Sequence, residues 1–174
     1  MSDIENKMVN SGSNEAATDI IYFENSNLYI KNSSIITKKE KQEVNKGLFS
    51  KKYYSAEDII GVFDGKVLKK NEYNILLQAG VTKQGYGIFI EKDYVLDCYM
   101  SSRQYDCLMS YANSPYKCIY KLNGKVAVDN CAIYYNKMCG LAIPDVYLIA
   151  KTNISPDDEL LTLYGYEHET NSVL

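Results

Sequence analysis

Short apolar runs broken by polar turns set the pattern of the chain. Ile20-Ile21-Tyr22-Phe23 and Leu28-Tyr29-Ile30 are β-prone, as are Gly47-Leu48-Phe49-Ser50 and the run 59–63, which leaves into the turn Asp64-Gly65. Residues 70–77 predict a short helix, because Tyr73, Leu76 and Leu77 fall on one face. Residues 86–90 and 94–97 predict strands joined by the polar turn Glu91-Lys92-Asp93. Ser101 or Ser102 is placed to cap a helix running to Tyr111, with Tyr105, Leu108, Met109 and Ala112 at helical spacing. Asn113-Ser114-Pro115 ends it. Asn123-Gly124 is a two-residue hairpin turn, flanked by strands predicted at 117–122 and 125–128. Further strands are expected at 131–135 and 146–150, and Ser155-Pro156-Asp157-Asp158-Glu159 reads as a turn. The pattern shows no internal repeat. Many short strands with one or two short helices predict a mainly β fold.

The length of 174 residues suits one domain with a core of its own. Residues 1–18 are rich in Ser, Asn and Glu and are expected to form a disordered tail ahead of a domain at 19–174. The charged stretch 38–43 reads as a solvated loop. A net charge of −3 gives no global field towards nucleic acid or membrane. No signal peptide or membrane-spanning run is expected, which predicts a soluble protein of the nucleus or cytoplasm, not a secreted one. The five cysteines include no C-x-x-C pair and are odd in number, so reduced thiols that pack as small apolar groups are expected. With a single histidine, His168, and no paired cysteines, no metal site is expected. Seventeen tyrosines favour strands and supply binding walls with an apolar body and a polar tip.

Four segments then stand out by their order. They are Gly47-Leu48-Phe49-Ser50, Ile60-Gly61-Val62-Phe63-Asp64-Gly65, Tyr111-Ala112-Asn113-Ser114 with the later Asn130-Cys131, and Asp158-Glu159-Leu160 through Tyr164-Gly165-Tyr166. In order and rough spacing they resemble the motifs of SET-domain protein lysine methyltransferases, over about residues 27–168. Val95-Leu96-Asp97 and the run 149–154 resemble the linking text of that family. The resemblance implies a SET fold of small, β-clip-like sheets. It also implies methyl transfer from the cofactor S-adenosylmethionine to the ε-amine of a lysine in a protein, a histone tail or another, with chromatin as the family's usual setting.

By this resemblance Tyr164 is the catalytic tyrosine, and Tyr166 and Phe63 line the lysine channel, with Tyr134 taken beside them. Lys46, Gly47, Leu48 and Phe49 would meet the cofactor through their backbone, where glycine allows close approach. Tyr111, Asn113 and Ser114 would complete the cofactor pocket. The plainer readings are that Tyr164 and Tyr166 are wall residues of a β-rich core and that Asn113 caps a helix.

The sequence departs from the family pattern at several points. Asn45 stands where glycine is common, Phe63 replaces a frequent tyrosine, and Ser114 replaces a histidine. Residues at about 115–129 form a hairpin insertion that either caps the cofactor cleft or lies on the surface. Residues 169–174 lack the cysteine-rich segment that closes the channel in many members, so these last residues themselves, the N-terminal tail, the insertion or the second subunit of a homodimer would have to close it. The alternative is a SET-like binding or scaffold module without catalysis, and a further one is an unrelated β-rich interaction domain.

Overall fold

A computed structural model describes residues 21–35, 45–99, 107–115, 124–135 and 145–164. Within them the fold is mainly β, as the pattern predicts. Nine strands form three small antiparallel sheets. The first sheet orders β1 (Phe23–Glu24), β2 (Leu28–Asn32) and β3 (Lys46–Ser50) side by side. The second orders β4 (Ile59–Phe63), β9 (Val146–Ala150) and β8 (Cys131–Tyr135). The third orders β5 (Lys66–Lys69), β7 (Tyr94–Asp97) and β6 (Gly87–Glu91). Among the described residues no helix is long and apolar enough to cross a membrane.

Period-two alternation decides which side chains reach the core. On β9, Val146, Leu148 and Ala150 are buried, while Tyr147 and Ile149 between them are only partly so. Phe63 and Tyr135 pair with Val146, and Cys131 pairs with Ala150, so these residues share the inner face. Tyr134 pairs with Tyr147 on the opposite face and is 50 % exposed. In the third sheet the row Val67, Leu96 and Ile88 faces the main core. The adjacent row Leu68, Val95 and Phe89 instead receives the helix α1 (Lys70–Gln78) through Tyr73, Leu76 and Leu77. Glu72 begins this helix by accepting the Lys69 amide at 3.0 Å. Gly80 ends it with φ of +69°, a conformation that costs glycine least.

Residues 159–162 stitch the sheets together. Glu159, Leu160, Leu161 and Thr162 are each 1 % exposed or less. The Leu160 amide donates to the Leu48 carbonyl of β3 at 2.8 Å, and the Cys131 amide of β8 donates to the Leu161 carbonyl at 2.9 Å. The Thr162 amide donates to the Asn113 carbonyl at 2.9 Å. The expected tail signature is therefore a run of single bridges to three different segments, not a strand of one sheet.

The chain also carries a repeat that the hydrophobic pattern does not show. Residues 50–58 and 150–158 follow the same course, each with a Ser-x-x-Asp turn, Ser55 to Asp58 and Ser155 to Asp158. The third residue of each turn, Glu57 or Asp157, has positive φ. The two copies bond reciprocally. Tyr54 and Ile154 exchange amide-to-carbonyl bonds of 3.0 and 2.9 Å, and the Glu57 amide reaches Ala150 as the Asp157 amide reaches Ser50, both at 2.8 Å.

Other expectations change. Of the helix expected from Ser101 or Ser102 to Tyr111, residues 101–106 lie outside the described residues, and what remains is one 3-10 turn, Leu108–Tyr111. Within the 115–129 insertion, 116–123 lie outside them. Among the described residues 125–128 join none of the three sheets, Val126 and Val128 standing exposed and Ala127 covered, and their expected hairpin partner 117–122 lies outside the described residues. The tail 1–18, the loop 38–43 and the channel residue Tyr166 also lie outside the described residues.

Candidate functional site

Two cavities meet at Tyr164. One, of about 520 Å³, is walled mainly by apolar groups such as Phe63, Phe89, Met109, Ile133 and Tyr135. The other, of about 450 Å³, is polar and is lined by Asn45, Lys46, Tyr111 and Asn113. Gly85, Tyr86, Ser110 and Tyr164 belong to both walls. Gly85 has φ of +103°, so this shared wall follows a course that side-chain-bearing residues rarely take.

Tyr164 is held by its own hydroxyl. The Oη donates to the Ala112 carbonyl at 2.6 Å, and Ala112 is fully buried. Burial, with the neighbouring Tyr86 adding to it, pushes the phenol well above its usual range, so it is neutral at physiological pH. Thr162, two residues earlier, lines the apolar cavity with a buried hydroxyl that has no hydrogen-bond partner among the described residues. Such a group is costly unless a ligand or water serves it. Three buried thiols lie in this region. Burial pushes Cys131 up to about 12. A hydrogen bond to Cys107, followed by burial, raises Cys98. Cys98 and Cys131 are therefore poor nucleophiles, whereas the hydrogen bond from Cys98 lowers Cys107.

The apolar cavity carries two charged residues in its described wall, Asp129 and Lys151, and they form an ion pair with each other. Asp129 stands two residues before β8, and Lys151 immediately follows β9. The Lys151 amide donates to the Asn130 carbonyl at 2.8 Å, which fixes the two residues beside each other across the sheet end.

Lys46, Tyr111 and Asn113 line the polar cavity, as the resemblance implies. Asn113 does so with its side chain already committed. Its Nδ2 donates to the Lys46 carbonyl at 2.9 Å and to Glu159 Oε1 at 3.4 Å, while its Oδ1 accepts from Asn45 at 3.1 Å. Lys46 lays its ammonium over the Tyr22 ring, 4.1 Å from the centroid.

Gly47, Leu48, Phe49 and Ser114 line neither cavity. Leu48 and Phe49 are buried in the core, and Ser114 is half-buried. Gly47 is glycine for a different reason from the expected one. A Cβ there would stand 2.3 Å from Glu159 Oε1, so the close approach is to a buried carboxylate. Phe63 does line the apolar cavity, but Tyr134 does not, because β8 turns it to the outer face and brings Tyr135 inward instead.

Sequence reasoning missed Tyr86 and Ser110 in these walls, could not place Tyr135 relative to Tyr134, and missed the part Glu159 plays behind them. Glu159 accepts from Ser33 Oγ at 2.6 Å and the Ser34 amide at 2.8 Å, as well as from Ser34 Oγ. The alternation from Cys131 through Ile133 groups Tyr135 with them and sets Tyr134 on the other face. Nothing local singles out Tyr86 or Ser110. No family model matches this chain, and no curated protein matches it either.

Proposed function

We propose that the chain is an S-adenosylmethionine-dependent protein-lysine methyltransferase of the SET-domain type, with the polar cavity for cofactor and the apolar one for the lysine side chain. The observation that carries this reading is that the two cavities share a wall at Tyr164, so two bound molecules would touch there. A cavity of about 450 Å³ falls in the range of small-molecule sites, about 300–1,000 Å³. Its wall of backbone and amide groups at Lys46 and Asn113 suits a polar cofactor. The sulfonium of S-adenosylmethionine supplies an already activated methyl group.

The residues of this chain would do the rest. A lysine amine has a pKa of ~10.4 in water and is almost wholly protonated at neutral pH. The walls of Phe63, Ile133 and Tyr135 disfavour the ammonium and so favour the attacking free amine. Tyr164, neutral and tied to Ala112, offers a fixed hydroxyl oxygen where the two molecules meet, which aligns them without reorganisation. Acceptors are lysines of proteins, histone tails among them.

One observation favours the second reading, a binding module without catalysis. The Asn113 amide is spent on Lys46, Asn45 and Glu159 and so shapes the cavity wall instead of reaching into it.

A thermal-shift titration separates the readings. With S-adenosylmethionine or its demethylated product at a hundred times Kd, binding should add about 2.7 kcal/mol of stability and raise Tm. Labelled-methyl transfer to histones and cell lysate should then follow, and Tyr164→Phe should lower it about a hundredfold or more while the thermal shift survives. No shift with either ligand removes the cofactor site. A shift without transfer leaves the binding module.

A further inference from the structure

The ion pair Asp129–Lys151 is the one charged feature in the described wall of the apolar cavity. Its two members are unequally exposed. The Asp129 side chain is 16 % exposed and that of Lys151 is 44 %. The pair therefore sits where the cavity meets solvent, with its carboxylate on the inside.

An exposed lysine gains little from such a pair, because water receives its ammonium well and its long side chain regains freedom on leaving. A largely covered carboxylate without a cation loses much more. The pair is thus asymmetric. Lys151 can leave, but Asp129 needs a replacement when it does. Ala132, Ile133 and Leu163 line the same cavity and offer apolar walls that suit an aliphatic stem. A ligand combining a stem with an ammonium satisfies both features. An anionic ligand would leave Asp129 unpaired if it drew Lys151 away.

We infer that Asp129 captures the ammonium of an incoming alkylammonium side chain at the opening of the apolar cavity, and that Lys151 occupies this carboxylate in the free protein as an internal competitor. Capture is an exchange of one ammonium for another, with no covalent change. The inference deepens the methyl-transfer reading, on which its biological meaning rests, but capture needs no cofactor and is tested without one.

The test is a ¹H–¹⁵N NMR titration of the full chain with hexylammonium and, as its uncharged counterpart, 1-hexanol. Wild type, Lys151→Met and Asp129→Asn are compared at low and high salt. Hexylammonium should perturb the amides of Ala132 and Ile133. Removing the competitor in K151M should tighten its binding by about three- to fivefold. D129N should weaken it by about tenfold, since a charge-assisted bond is lost. Added salt should weaken the amine alone. Hexanol should bind all three proteins alike, which also reports that the cavity is intact in each variant.

Equal amine affinity in wild type and D129N overturns the inference, as does any failure of the amine to bind K151M. An amine pattern as expected, together with no thermal shift from S-adenosylmethionine, would remove the methyl-transfer reading and leave Asp129 as a cation site.

Discussion

Glu159 shows how a single residue ties the site together. Its carboxylate lies 1 % exposed and is held by Ser33 and Ser34 on one side and Asn113 on another. Gly47 leaves it room, since a Cβ would stand 2.3 Å from Oε1. The carboxylate cannot swing aside without losing those bonds. Gly47→Ala should therefore cost ~1–3 kcal/mol, the usual range for overpacking. Glu159→Ala should cost ~3 kcal/mol, because it leaves buried donors without an acceptor. In the Glu159→Ala background the Gly47→Ala substitution should cost far less, since the atom it strikes is gone. A urea-denaturation double-mutant cycle measures this, and strictly additive costs would show that the two residues do not meet. The sequence singled out Gly47 and Asn113 as cofactor residues, but it could not show their contacts with Glu159, because that partner is distant along the chain. Nor could it place Tyr134 and Tyr135, which the pairing of β8 with β9 sends to opposite faces.

At the scale of elements, the hydrophobic pattern served well. The 3.6-residue spacing of Tyr73, Leu76 and Leu77 marked α1, and short apolar runs bounded by turns marked β4, β7, β8 and β9. β5 escaped because only Val67 and Leu68 stand between its lysines, which is too short an apolar run to mark a strand. Only its pairing with β7 makes it a strand. The run 125–128 pairs with no described strand of the three sheets, and its expected hairpin partner 117–122 lies outside the described residues. The docking of α1 depends on one satellite cluster. Tyr73 is 4 % exposed, packs with Leu68 and Val95, and meets the Phe89 ring edge-on at 6.4 Å. Gly87 gives its phenol room, as a Cβ there would lie 2.6 Å from Oη. Tyr73→Ala should cost ~3 kcal/mol by cavity formation. The loss should fall first on α1, because this cluster is separate from the main core. Hydrogen exchange should show the α1 amides losing more protection than those of β2 and β3. Equal losses in all three elements would mean that the helix opens only with the whole protein.

For the whole molecule, the question is what makes three small sheets one cooperative unit. Each has three short strands, about the smallest number that forms a stable sheet when a hydrophobic face is buried. The reciprocal bonds between 50–58 and 150–158 join the first sheet to the second, and the stretch 159–162 runs between β3, β8 and Asn113. These links were not legible in the sequence. The repeat is carried by turn geometry and backbone bonds, while its apolar residues differ, and a run of single bridges has no period to read. Asn130 bears much of the second link. Its Nδ2 donates to the Glu159 carbonyl at 2.9 Å, and its Oδ1 accepts the Leu161 amide at 2.8 Å. Asn130→Ala leaves a buried carbonyl and a buried amide unserved, which should cost ~2–4 kcal/mol. Because the stretch connects the first and second sheets, the cost should reach both. The slow amides of β3 and β8 should lose protection by the same free energy, equal to the shift measured in urea. Tyr164 lies two residues beyond this stretch, so the same variant should loosen the Tyr164–Ala112 bond and weaken any ligand held at the meeting of the two cavities. A loss of protection confined to 159–162 would show that the sheets cohere without the stitch, and the cavities would then owe their shape to the sheets alone.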